Sequence, residues 1–281
     1  MNKTIAILVL LLGASACSDD FDPGSLVTKT RVLAVQADTP FALPGQEVHL
    51  SALVYDPEDR ALTWAWGECE AVESTAAVDC LRQTSFESLK IGPDLTTHTL
   101  TVPNVSTRYA GVVVIACPGT VEAGTTQTIP IVCRDAAGNA LPLSEFEIGL
   151  KRIFLRDSSL NMNPQIDGLT IAGVDWSADL VPSALCKDDA CSEFADQEIV
   201  VRADGASEQS VDAAGLPIKE QSVIQFYATG GEFEDDFKLA SAGDMKWHAK
   251  REDAGKRIEF WFVVRDDRGG VSWIERSLQV P

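Results

Sequence analysis

Apolar and polar residues alternate with a period of two through most of this chain. In the window 47–54, Val48, Leu50, Ala52 and Val54 fall on one side, with Glu47, His49 and Ser51 between them. That spacing belongs to an extended strand with one buried face. Windows 32–37, 62–66 and 97–102 read as strands in the same way, and 111–116 is a buried run of Val and Ile. Turn chemistry separates them: two prolines and a glycine in 39–45, and Asp56-Pro57-Glu58-Asp59 after the second strand. Residues 118–145, rich in Gly, Thr and Pro, read as a long connection, and 145–156 as a closing strand. The polar, Asn-rich stretch 157–164 is the natural boundary. Beyond it the style repeats, with strands predicted over 165–172, 197–203, 222–228, 245–247, 257–265 and 271–280. Segments 178–192 and 232–243 read as acidic loops, and Asp266-Asp267-Arg268-Gly269-Gly270 as a turn. Few windows carry a helical period. Short strands at regular spacing predict β-sandwiches, one in each half of roughly 120 residues.

The first residues follow a different rule. Lys3 precedes an unbroken apolar run from Ile5 to Leu12, then Gly13-Ala14-Ser15-Ala16, then Cys17. A positive end, a short apolar run and small residues make up an export signal. The run is too short to span a bilayer, which takes about 20 apolar residues. The cysteine placed directly after the small residues resembles the lipobox of bacterial lipoproteins, with Ala14 standing where that family usually has Leu. The resemblance implies cleavage before Cys17 and acylation of its thiol. Several acyl chains would anchor the protein firmly, since each buried methylene contributes about 0.8 kcal/mol. Ser18 in the following position implies the outer membrane rather than the inner one.

A second resemblance lies in the strands. Leu43-Pro44-Gly45-Gln46-Glu47-Val48, followed by Tyr55-Asp56-Pro57-Glu58-Asp59 and Leu62-Thr63-Trp64, resembles the opening of bacterial Ig-like domains of the PKD and cadherin-like kind. There a Pro-Gly turn opens the second strand, and an acidic turn precedes a Leu-Thr-aromatic strand. The run from Phe262 to Val271 is similar to the last hairpin of such domains. The implied fold is all-β, two Ig-like antiparallel β-sandwich domains in tandem behind a signal peptide. The organisation is a signal peptide over 1–16, an acylated Cys and flexible tether over 17–27, one Ig-like domain over 28–157 and a second over 158–281.

Charge narrows the partners. Asp and Glu number 42 against 23 Lys and Arg, a formal net charge of -19. Such a surface repels nucleic acid, whose binding depends on neutralising phosphates. Besides Cys17 there are Cys69, Cys80, Cys117, Cys133, Cys186 and Cys191, and an even count in an exported chain reads as disulfides. Pairing of sequence neighbours is the simplest scheme, with other pairings open. Zinc is the rival, without any CxxC and without a His near Cys186 and Cys191. If 110–117 and 126–133 form a tight hairpin, Cys117 and Cys133 stand at its opposite ends.

Catalytic chemistry is sparse in the sequence. His49, His98 and His248 are remote from one another, and no GxSxG, HExxH, SxxK or P-loop pattern occurs. No cofactor motif is present. Calcium is the ion whose oxygen-rich chemistry the acidic turns suit. Asp56, Glu58 and Asp59 cluster in one turn, and Asp157, Asn161 and Asn163 lie at the domain boundary. The second set resembles a cadherin linker, with Asn where Asp is usual. Asn and Asp also close ordinary turns by bonding their own backbone. Among the six tryptophans, Trp64 and Trp66 share a face of one strand, as core residues of a sandwich do. Trp261 falls opposite Phe260 and Phe262, a position that suits either an exposed, ligand-stacking aromatic or one packed under a loop.

These readings predict an envelope lipoprotein with a non-enzymatic binding, adhesion or scaffold role. Its partners would be the membrane, through the lipid on Cys17, and an envelope protein or glycan. The alternative is a calcium-dependent enzyme, or an enzyme accessory, with a site in the acidic loops. A purely structural subunit of a larger surface complex is a third possibility.

Overall fold

A computed structural model describes residues 24–70, 77–104, 109–124, 130–155, 161–204, 209–211, 217–219 and 221–281. The expected signal peptide (1–16), Cys17 and Asp157 lie outside the described residues. The chain is all-β, as the alternating pattern predicts. Its first half contains β1 (Arg31–Ala37), β2 (Phe41–Ala42), β3 (Glu47–Tyr55), β4 (Thr63–Glu70), helix α1 (Ala77–Leu81), β5 (Lys90–Gly92), β6 (Thr97–Thr101), β7 (Tyr109–Cys117), β8 (Thr120–Ala123), β9 (Ile131–Arg134) and β10 (Glu147–Leu155). Its second half contains β11 (Gln165–Ile171), β12 (Val174–Asp175), β13 (Gln197–Asp204), β14 (Gln209–Val211), β15 (Pro217–Lys219), β16 (Ser222–Ala228), β17 (Glu232–Phe233), β18 (Phe237–Leu239), β19 (Asp244–His248), β20 (Arg257–Asp266) and β21 (Val271–Gln279).

The first half pairs β1-β3-β6 in one sheet and β2-β10-β7-β4-β5 in the other. In immunoglobulin lettering this is A-B-E facing A′-G-F-C-C′, with the short A′ strand β2 parallel to β10. The second half repeats the scheme, with β12-β11-β13-β19-β17 facing β18-β16-β20-β21. Its own A′ contact is the parallel bridge of Ser183 to Gln279, held by bonds of 2.9 Å on either side. Two sequences without evident identity thus form the same connection pattern, because the period-two code specifies faces and not particular side chains.

Each sandwich is filled by the alternate residues the pattern marked. Trp64 and Trp66, with Val48, Leu50, Leu100, Val112 and Val114, occupy the first core. Phe226, Phe260, Phe262, Trp176 and Trp247 dominate the second. Each fully buried side chain of this size contributes roughly 1.5–3 kcal/mol. The tight turn ahead of β17 brings Gly231 (φ 73°) against the Trp247 indole, where any Cβ would collide with the ring. A positive φ and that contact both require glycine.

Strand β7 shows why 111–116 is apolar without alternation. Val112 and Val114 face the first core, while Val113, Ile115 and Cys117 face a second apolar layer on the outside of the same sheet. That layer is made by α1, β8 and β9, with Leu81, Val121, Ile131 and Phe146 among its buried residues. Disulfides Cys69–Cys80 and Cys117–Cys133 fasten it to the ends of β4 and β7, and Cys186–Cys191 closes a loop in the second half. The supposed connection 118–145 therefore holds a hairpin of its own. Its strands are 120–123 and 131–134, not 110–117 and 126–133, so Cys133 pairs across from Val121 and comes beside Cys117. Segment 232–243, read as a loop, contains β17 and β18, which are too short to show a period.

The tether reading also needs correction. Residues 24–27 are not free chain. Leu26 bridges Ala228 in parallel, Val27 N donates to Ala228 O at 2.8 Å, and Ser25 N donates to Asp236 Oδ1 at 3.0 Å. The start of the described chain is thus pinned to the second sandwich before it enters the first.

Loop closure makes the disulfides unequal. Separations of 11 and 16 residues against 5 predict a loss of about 3 kcal/mol for C117S/C133S and about 2 kcal/mol for C186S/C191S. Urea unfolding of the two variants measures both, and the ordering should hold even where strain changes the magnitudes.

Candidate functional site

The histidines lie in three different strands. His49 faces outward from β3 and its Nδ1 meets Thr99 Oγ1 at 3.0 Å. His98, on the neighbouring strand but the opposite face, stacks on Trp66 with centroids 5.4 Å apart and bonds Glu68 Oε1 at 2.9 Å. Glu68 belongs to the other sheet, so this pair clamps the two layers at their open edge. The bond from His98 holds the Glu68 carboxyl below its usual range, against the opposing effect of burial. His248 reaches Asp196 at 3.5 Å from the second half. The six cysteines other than Cys17 are all consumed in disulfides.

The acidic turns have local partners. Asp56 accepts hydrogen bonds from Thr30 Oγ1 at 2.6 Å, from Arg60 N at 2.8 Å and from Arg60 Nη2 at 2.7 Å. Burial alone would raise the Asp56 carboxyl, but these bonds and the guanidinium charge hold it low. Glu58 is exposed and lies 3.6 Å from Arg60 Nη1, and Asp59 takes the left-handed turn position at φ 51°. Asn163 spans the two sandwiches: its Nδ2 donates to Ala37 O at 2.7 Å, and its Oδ1 accepts from Val271 N at 2.9 Å. Asn161 is buried and donates from Nδ2 to Asp266 Oδ2 at 3.3 Å. Among the described residues no group of three or more His, Cys, Asp or Glu gathers as a metal site. Asp56 and Asp59 thus belong to a locally closed turn, whereas Asn161 bonds the second sandwich and Asn163 bonds both.

Of the two positions open to Trp261, the structure shows the covered one. Trp261 is only 4% exposed, because the outer face of its sheet is packed against the first sandwich. Tyr227, Trp261, Val263 and Val271 from the second half meet Leu33, Ala34 and Leu53 from the first, with Val27 beside them. The Tyr55 and Trp261 rings lie 4.5 Å apart. A bulge in β1, between Val32 and Ala34, breaks the strict alternation. It lets consecutive Leu33 and Ala34 both face the partner sandwich while Val35 returns to the core.

Polar bonds frame this apolar contact. Gln36 Nε2 donates to Val271 O at 2.6 Å, and Arg265 Nη2 donates to Leu33 O at 2.6 Å. Lys151, buried on β10, donates from Nζ to Gly269 O in the turn of the second half. Burial pushes the Lys151 ammonium down to about 7, the Arg265 guanidinium pushes the same way, and Asp266 opposes them. A lysine at the same inward parity as Ile153 was the available signal in the sequence. The strand pattern could not say what it would meet.

No protein-family model matches the chain, and no curated protein matches it. Among solved structures, the D0-D1 domain of Intimin aligns over 88% of this chain and 98% of its own, at 12% identity and a TM-score of 0.23. The Yersinia pseudotuberculosis adhesin InvE aligns at 10% identity and a TM-score of 0.22, over 89% of this chain and 58% of its own. Three N-terminal domains of the bacteriophage RB49 Highly Immunogenic Outer Capsid protein (Hoc) align at 11% identity and a TM-score of 0.21, over 89% of this chain and 59% of theirs. The Ig-like character of both halves stands on strand order and register, independently of these low scores.

Two outcomes follow from the junction. W261A should lower stability by about 3–5 kcal/mol and split one cooperative denaturant transition into two, read by far-UV circular dichroism. The depressed Lys151 pKa gives a pH dependence of definite sign. Between about 7 and the ordinary lysine value of 10.5, unfolding takes up a proton, so stability rises with pH; below about 7 both states are protonated and the contribution is flat. Wild type should therefore gain stability relative to K151M from pH 7 to 10, with parallel curves from pH 5 to 6.5. Parallel curves throughout would show that Lys151 is not buried as a neutral amine.

Proposed function

We propose that this chain is an envelope lipoprotein, anchored through Cys17, whose two docked sandwiches act as a non-enzymatic binding or adhesion scaffold. The observation that carries the reading is the continuous apolar junction around Trp261. It joins two Ig-like domains face to face and leaves their loops and remaining sheet edges as a fixed outer surface. A scaffold of this kind presents several recognition elements at set distances, and rigidity lowers the entropy cost of binding. Three disulfides support an exported, oxidising location. The anionic surface suits a soluble, envelope-exposed body that meets neutral or basic partners.

The test has two parts. Metabolic labelling with an alkyne fatty acid should mark the full-length protein, and C17S should abolish both the label and membrane fractionation. Residues 18–281, immobilised, should then retain a component of solubilised envelope or of cell-wall glycan saturably, in calcium and in chelator alike. Label-free wild type would remove the anchoring part, and retention of nothing in either buffer would remove the binding part.

A further inference from the structure

The face of β18-β16-β20-β21 that packs on the first sandwich is not wholly covered. Paired residues share a face, so the register traces its rows. One row runs Phe237, Gln225, Val263, Trp273, and the next Leu239, Val223, Arg265, Val271. Val263 and Val271 are buried under the first sandwich. At the far end of the same rows, on edge strand β18, Phe237 is 62% and Leu239 48% exposed. They form the uncovered continuation of the interdomain face.

The chain enters beside this edge. Gly24 abuts the Asp236 side chain, one residue before Phe237, and its carbonyl accepts from Arg31 Nη1 at 2.5 Å. Arg31 in turn lies over the Tyr227 ring on the covered part of the face, 5.1 Å from its centroid. Seven residue steps separate Cys17 from Gly24, a reach of at most about 25 Å. A membrane anchor at Cys17 therefore holds the β18 edge, more closely than most of the surface, near the lipid.

We propose that Phe237 and Leu239 form a membrane-facing patch that rests in the interfacial layer of the bilayer carrying the anchor. The inference depends on the anchoring reading above. Its chemistry is that of a shallow apolar contact: a large aromatic and a leucine project from one side of a strand. Tethering raises their effective concentration at the lipid surface, so a contact too weak to capture free protein becomes occupied. The flanking acids are largely engaged within the protein. Glu234 and Asp235 lie 2.6 and 3.7 Å from Lys238, and Asp236 accepts from Ser25 N. That arrangement suits a zwitterionic surface and disfavours a strongly anionic one. The contact orients the body, with the second sandwich nearer the membrane and the first carried above it.

The test supplies the anchor artificially, so it does not depend on acylation of Cys17. Residues 18–281 carrying an N-terminal polyhistidine tag are bound to nickel-chelating lipid in phosphatidylcholine vesicles, and amide hydrogen exchange is followed. The proposal predicts exchange about threefold slower across residues 236–240 than in free protein. The protection should vanish in F237S/L239S, whose thermal unfolding should match wild type because both side chains are exposed. Replacing most of the phosphatidylcholine by phosphatidylglycerol should weaken it. Equal exchange with and without vesicles overturns the proposal. Protection already present in free protein and lost on deleting residues 18–23 also overturns it, because the tether itself would then cover the patch. If C17S leaves native localisation unchanged while the vesicle result holds, the anchoring reading fails and the patch stands.

Discussion

The structure depends most on the burial of Trp261 and its neighbours between the two sandwiches. A sheet in an Ig-like domain has one face committed to its own core, and the other usually meets water. Here β20 has both faces buried, Phe260 and Phe262 inside the second sandwich and Trp261 and Val263 against the first. The consequence is mechanical. Two domains joined only by a short linker would reorient freely, whereas a shared apolar layer framed by Gln36, Lys151, Asn163 and Arg265 fixes one arrangement. The apolar part supplies the stabilisation. The polar bonds set the register, because an unpaired buried donor costs more than the bond itself contributes.

The same principle recurs at the other end of the first sandwich. Strand β7 is likewise buried on both sides, this time beneath an added layer of helix and hairpin stapled by two disulfides. The molecule is therefore a stack of layers, with β7 and β20 each buried on both faces. The β18 end of the stacked face is exposed at Phe237 and Leu239, beside the point where the chain arrives from its proposed anchor. Under the proposed anchoring, one sheet would link attachment, orientation and presentation.

Much of the fold was legible in the residues. Period-two windows located most of the long strands, and Trp64 and Trp66 fell on the core side as their shared parity required. Sequence-neighbour pairing of the cysteines holds in the structure. What the pattern could not supply was the identity of the second face. Alternation shows that Trp261 points away from Phe260, but it does not say whether water or another domain lies there. Short strands such as 41–42 and 237–239 carry no period, so the A′ contact and the open edge were invisible. Asn161 and Asn163 read as calcium candidates because their oxygens suit the ion. The structure uses the Asn163 amide on both its donor and acceptor sides to tie the sandwiches together. Cys17 and Asp157 remain readings of the sequence.

Docked through this shared layer, the two sandwiches should move as one body. Spin labels on Thr99 and Lys246, exposed strand residues in different sandwiches, allow pulsed dipolar spectroscopy to read it directly. A single narrow distance distribution, unchanged between dilute buffer and added salt, is the expected result, because the contact is apolar. A broad distribution, or two populations that shift with salt, would contradict it.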